Sequence, residues 1–248
     1  MQSLDLDSCN RLANTHVKST EGAVSHSEVA VQPTKGPSTR AGATRDAILG
    51  TAERLFAERG LNAVSNRQIS EAAGQGNNAA VGYHFGTKAD LVRAIVRRHD
   101  APVTDRRRTL VARIDGSDDP RDWISCWVLP VVEHLESLGL PTWYARFGAQ
   151  VMAEPAFRQI IQDETRSDPT LDRIREGLNG CAPALPADVC VARNYMTRQL
   201  IVATLADCER ALAEGRHSPY LSWRRAANNL TDALVGLWLA PVTPQAGR

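Results

Sequence analysis

Absences exclude most catalytic and membrane functions for this chain. It has no uninterrupted apolar run approaching the roughly 18 residues that a membrane-spanning helix needs, and no basic-then-apolar stretch at its start. A cytoplasmic location without membrane contact is expected. The five cysteines, Cys9, Cys126, Cys181, Cys190 and Cys208, are scattered, with no C-x-x-C pair and no histidine at zinc-ligand spacing. No metal or cofactor is therefore expected, and most of the thiols should be reduced and buried. Also missing are a G-x-S-x-G elbow, a P-loop, an H-E-x-x-H helix and a phosphate-binding glycine fingerprint after a strand. These gaps leave no catalytic residue to name, and the chain is not expected to be an enzyme. His99, His134 and His217 stand apart among charged neighbours and read as solvated. No segment alternates as a strand would, so the fold class expected is all-α.

What is present is a chain of 248 residues, 43% hydrophobic, enough to build a sizeable core in one or two domains. The net charge of +1 argues against nucleic acid only when averaged over the whole chain. By segment, residues 1–39 carry −1, residues 40–113 carry +6 and residues 114–248 carry −4. Positive charge gathered in one stretch suits phosphate neutralisation, while the acidic remainder would be repelled by DNA. One DNA-contacting module joined to a separate regulatory one is expected.

Residues 1–42 are rich in Ser, Thr, Gly and Asn and end in the breaker-laden P-T-K-G-P-S-T-R-A-G, the mark of a disordered tail. From Thr44, Ile48, Ala52, Leu55 and Phe56 share one helical face as far as Arg59, and Gly60 supplies the stop. Thr87 caps a fourth helix with Asp90 closing a capping box, and Pro102 should kink that helix rather than end it, because Leu110, Val111 and Ile114 continue its apolar face. Further helices are expected over about 120–138, 142–153, 155–179, 188–214 and 218–239, with a short tail over 241–248.

The stretch Ser65 to Phe85, S-N-R-Q-I-S-E-A-A-G-Q-G-N-N-A-A-V-G-Y-H-F, is the most informative. Ser65 and Gln68 form a capping box, Ile69 and Ala72 give an apolar face, and Gly74 to Gly76 breaks the pattern before a second short helix. Two helices joined in this way suit a DNA major groove. Ser65, Asn66, Arg67 and Gln68 start helix two, where free N–H groups attract a phosphate. Ala79 and Ala80 are small enough to let the backbone approach bases. Asn77 and Asn78 either touch bases or phosphates or simply form the turn. Tyr83 and His84 suit phosphate contact at the rim, and Thr44 and Arg45 can reach the backbone from the start of helix one.

In the elements A-I-L-G-T-A-E-R-L-F-A-E-R-G, I-S-E-A-A-G and Y-H-F-G-T-K-A-D-L, taken in this order from Thr44 to about Ile95, the chain resembles the tetracycline-repressor (TetR) family of bacterial transcription regulators. Two departures stand out. The turn G-Q-G-N-N is one residue longer than usual, and Gly82 stands where many members place a tyrosine. The resemblance implies a three-helix DNA-binding domain over residues 43–90 and a larger helical effector-binding and dimerisation domain over 91–240. It also makes Lys88 a phosphate contact, a surface lysine being the alternative.

The resemblance further implies a ligand-responsive repressor that binds double-stranded operator DNA as a homodimer and is released by a small hydrophobic effector. A helical interaction adaptor, or an activator without effector, is the rival. Trp223, Ala227, Leu230, Leu234 and Leu237 recur at helical spacing and are expected either, together with the helix from Ala187 to Ala213, at the four-helix dimer interface that the resemblance implies or in an intramolecular core. Aromatic residues make up only 5% of the chain, yet Trp123, Trp127, Trp143, Tyr144 and Phe147 cluster with Met152 where an effector pocket would lie. Core packing is the alternative for each. Arg146 could pair an acidic ligand, Glu154 or Asp163.

Overall fold

Residues 37–166, 168–181, 185–215 and 222–243 are described by the computed structural model, and every regular element among them is an α-helix. The first, α1 (Pro37–Arg59), begins seven residues before the expected start at Thr44. Residues 37–42 therefore belong to a helix and not to the expected tail, whose remainder lies outside the described residues. Pro37 at the first helical position explains the early start, since its fixed φ suits a helix and its missing N–H would have had no partner there.

Helices α2 (Asn66–Ala72), α3 (Ala80–Phe85) and α4 (Lys88–Arg113) follow. Ser65 caps α2 and Thr87 caps α4, each closing a capping box, with Gln68 and with Asp90. The turn between α2 and α3 passes through Gly74 at φ +67°, a left-handed position that disfavours any side chain. Helix α4 runs through Pro102 without ending, and the Pro102 carbonyl accepts a bond from the Arg106 guanidinium.

Helices α5 (Pro120–Ser137), α6 (Tyr144–Ala153), α7 (Pro155–Arg166), α8 (Pro169–Cys181), α9 (Ala187–Glu214) and α10 (Trp223–Leu239) complete the described part. The single helix expected over 155–179 is thus two. Pro169 disfavours helical geometry in the residue before it, and the Asp168 carboxylate accepts the Thr170 N–H and so restarts the chain as a helix.

Two apolar cores hold these helices together. One gathers Ile48, Phe56, Ile69, Val81, Leu91 and Ile95 from the first four helices, but Phe147 and Val151 of α6 and Ile160 of α7 also belong to it. The helix-turn-helix is therefore anchored on the helices that follow it. The other core joins Trp123 and Leu135 of α5, Ile174 of α8, Leu205 of α9 and Leu230, Leu234 and Trp238 of α10. Gly177 lets α8 reach α5: a Cβ there would stand 2.2 Å from the Trp123 ring.

The α10 stripe accordingly serves the intramolecular core. Trp223, Ala227, Leu230 and Leu234 are buried, and Leu237 packs against the same cluster at its margin. Of the two places expected for these residues, the core is the one the described chain fills, with α5 and α9 packed against α10. Arg193 of α9 locks the end of α10 by donating to the Trp238 and Ala240 carbonyls, both at 2.6 Å.

Candidate nucleic-acid interface and the cavity behind it

The exposed face of the helix-turn-helix follows from its local sequence. Ala79 N–H donates to Asn77 Oδ1 at 2.9 Å, so Asn77 starts α3 as a turn former while its amide nitrogen stays outward. Ser70 Oγ donates to the Asn78 carbonyl and ties the turn to α2. Asn78, Ala79, Gly82 and Tyr83 are all exposed, at a spacing that places them on one side of α3. Tyr83 is 86% exposed, with only the His84 ring edge-on to it at 5.1 Å. A Cβ added at Gly82 would meet nothing within 4 Å, so no internal packing calls for glycine there.

Ala80 points the other way. It is buried with Val81 and Phe85 against the core, and only Ala79 of the pair presents a side chain outward. Of the two alanines expected to let the backbone approach bases, Ala80 instead lies on the buried face of α3.

Lys88 is tied to the protein. Its Nζ donates to the Leu61 carbonyl at 2.9 Å and the Val64 carbonyl at 2.7 Å, closing the α1–α2 loop from the start of α4. Two of its three protons are thereby committed to protein. Arg67 remains outward on α2 and carries an exposed i,i+4 pair with Glu71, which raises its pKa through their hydrogen bond and charge. Ser65 and Gln68 are exposed at the same helix start, and Asn66 is half-buried with its Oδ1 unpartnered among the described residues. Thr44 is half-buried on α1, while the Arg45 guanidinium lies 4.7 Å from the centroid of the Phe85 ring and joins α1 to the end of α3.

Behind this module lies a cavity of about 520 Å³ between α4, α5, α6, α7, α8 and α9. Trp127 and Tyr144 line it. Trp123 and Phe147 are instead fully buried in the two cores, Met152 is buried, and Trp143 packs under the Arg146 guanidinium at 4.3 Å. Periodicity could not tell these fates apart, because core and cavity walls have the same apolar character. Asp100, Arg107, Arg175 and Arg198 also line the cavity, and their sequence surroundings gave no sign of it.

Arg146 pairs with Glu209, a residue its sequence position did not suggest. Its Nε donates to Glu209 Oε2 at 3.0 Å, and the same carboxylate accepts the Ala145 and Arg146 backbone N–H groups at the start of α6. Burial pushes the Glu209 carboxyl up in pKa, against the pull of these bonds. Arg107 and Asp168 form a buried pair beside the cavity. Burial opposes the Asp168 charge, yet bonds from Thr170 and Arg107 hold its carboxyl below the usual range.

The histidines read as solvated are interior groups, and His217 lies outside the described residues. His99 Nδ1 stands 2.8 Å from His134 Nε2, and His99 Nε2 stands 2.8 Å from Glu53 Oε2. Tyr144 stacks on His99 with ring centroids 3.9 Å apart. A wall of the cavity is therefore one ring away from a polar chain that reaches α1. Burial pushes the Tyr144 hydroxyl up in pKa and the His134 imidazole down to about 4, with His99 and Arg106 adding to the latter. Cys126 and Cys208 are buried, their thiols pushed up to about 11 by burial, which leaves them inert at neutral pH. Among the described residues no helix is long and apolar enough to cross a membrane, and no His, Cys, Asp and Glu group could hold a metal ion.

Comparison with known proteins places the first four helices. Residues 48–95 match the family model for bacterial regulatory proteins, tetR family. The curated proteins give no match. Among solved structures, the chain is similar to NalD, the secondary repressor of the MexAB-OprM multidrug efflux pump in Pseudomonas aeruginosa, at 21% identity over 79% of this chain and 95% of that one, with a TM-score of 0.51. It is also similar to a tetR family transcription regulator from Shewanella sp. PV-4, at 18% identity over 79% and 96% of the two chains, with a TM-score of 0.54.

Proposed function

We propose that this chain, whose residues 48–95 match the family model for bacterial regulatory proteins of the tetR family, is a DNA-binding transcription regulator and a ligand-responsive repressor, released from DNA by a small effector with an apolar body. The observation that carries the effector reading is the cavity of about 520 Å³, which falls within the range of small-molecule sites. Its wall Tyr144 stacks on His99, which bonds to Glu53 of α1, and α6 packs directly on α1. An effector that moves Tyr144 or α6 would shift the helix carrying the DNA-reading module.

Asn78, Ala79, Gly82 and Tyr83 form the groove-reading face in this proposal, with Arg67, Arg45, His84 and the α2 N-terminus on phosphates. One short reading helix spans few base pairs, so a homodimer on a palindromic operator supplies the second half-site. Val191, Met196 and Leu200 of α9 are large, apolar and exposed, which favours α9 as the seat of that contact. Activity on DNA places the protein in the cytoplasm.

The test is retardation of fragments selected from the source genome, run with competitor DNA and a salt series, and repeated with candidate effectors. Binding that falls steeply with salt and is relieved by one effector supports the proposal. A chain that ignores every duplex at low salt overturns it. Sedimentation showing only monomer at micromolar concentration would remove the dimer.

A further inference from the structure

The charges around the cavity pair off unevenly. Arg107 is bound to Asp168, Glu164 to Arg93 and Arg97, Arg166 to Asp163, and Arg175 to Asp172. That leaves Asp100 on the α4 wall and Arg198 on the α9 wall. Asp100 has a cationic neighbour in Arg107, whose charge works against the upward push that burial gives its pKa. Arg198 stays charged, as a guanidinium does at any ordinary pH. It is half-buried, and among the described residues it has no hydrogen-bond or ion-pair partner. Its charged neighbour is a second cation, Arg175, and burial together with that neighbour lowers its pKa. The cavity wall thus carries Arg198 without a partner anion among the described residues, beside the paired Arg175, while Val103, Trp127 and Leu205 supply apolar wall.

We propose that the cavity receives an organic anion, a carboxylate on an apolar body, with the charged end on Arg198 and Arg175 and the body against Val103, Trp127 and Leu205. This assignment rests on the reading of the chain as a ligand-responsive regulator, and it names the chemical class of the ligand. Arg198 contributes a planar fork that matches a carboxylate, and the site discriminates because an alcohol of the same length leaves the Arg198 charge uncompensated.

Titration of the full chain with decanoate, decanol and decylamine, followed by tryptophan fluorescence through Trp127, tests this directly. Decanoate is expected to bind at least about tenfold more tightly than decanol, with decylamine weakest. R198Q should bind decanoate and decanol alike, with decanol affinity as in the unaltered protein. Equal binding of acid and alcohol by the unaltered chain, preference for the amine, or an acid preference that survives R198Q would each overturn the proposal. The comparison in the unaltered chain stands even if R198Q fails to fold. DNA retardation in parallel separates the two readings. DNA binding without an acid preference removes the anion site and leaves the regulator, whereas acid preference with DNA binding unchanged by decanoate keeps the site and removes release by ligand.

Discussion

His99 Nε2 lies 2.8 Å from Glu53 Oε2, with both side chains buried, and this contact joins the helix that leaves the DNA-binding module to the helix that begins it. A polar pair in such a place is costly to break from one side, because the remaining group keeps its desolvation cost without its bond. Glu53→Ala is expected to lower unfolding free energy by about 1–3 kcal/mol, read by urea denaturation. Glu53→Gln, which can still bond to His99, should lose less. Equal stability of Glu53→Ala and the unaltered protein would show that the contact does not bind α4 to α1.

Stability should also depend on pH through His134. Its imidazole is held near a pKa of about 4 in the folded protein, against 6.5 for an ordinary histidine, by burial first and then by His99 and Arg106. The unfolded chain therefore binds more protons than the folded one between those values. The stabilisation is complete above pH 6.5 and is lost as pH falls toward 4, with a span of about 3 kcal/mol. Denaturant midpoints across this window should fall more steeply for the unaltered protein than for His134→Gln. Parallel curves would refute it.

Helix positions in the first half were legible because capping chemistry is local. Ser65 with Gln68 and Thr87 with Asp90 are boxes of three-residue reach, and both occur where their spacing placed them. Partners across the fold were not legible. Lys88 reaches back to carbonyls 27 and 24 residues earlier, and Glu209 takes Arg146 from 63 residues away. His99 and His134 misled for the same reason: charged sequence neighbours occupy the far side of each helix and say nothing about the inward side. The α10 stripe was correctly apolar, but only tertiary structure says that α5 rather than a second copy covers it.

Gly82 offers a test in which stability and function move in opposite directions. Glycine inside a helix costs about 1 kcal/mol relative to alanine, and here a Cβ would meet nothing within 4 Å. Gly82→Ala should therefore raise the melting temperature. If α3 lies close against bases, the added methyl group should weaken operator binding by roughly tenfold, a cost of about 1.4 kcal/mol. A stabilised variant with undiminished DNA affinity would take Gly82 out of the interface.

Glu209 makes a stability prediction remote from DNA. Its buried carboxylate holds two backbone N–H groups and the Arg146 guanidinium at once. Glu209→Ala would strand a buried cation and free the start of α6, at a cost of about 3–5 kcal/mol. Thermal unfolding should shift downward by several degrees or more; a shift within error would mean that α6 is held by its apolar face alone.

Arg67 and Lys88 separate a surface cation from a structural one. Lys88 Nζ satisfies the Leu61 and Val64 carbonyls, so Lys88→Ala should destabilise the fold by about 1–3 kcal/mol. Arg67 has only an exposed pair with Glu71, and such pairs contribute little to stability. Arg67→Ala should leave the melting temperature unchanged while it weakens binding to all DNA and reduces the salt slope by about one. If instead Lys88→Ala unfolds at the normal temperature and Arg67→Ala keeps the full salt slope, the two residues have their roles reversed. The phosphate contact would then belong at the start of α4 rather than α2.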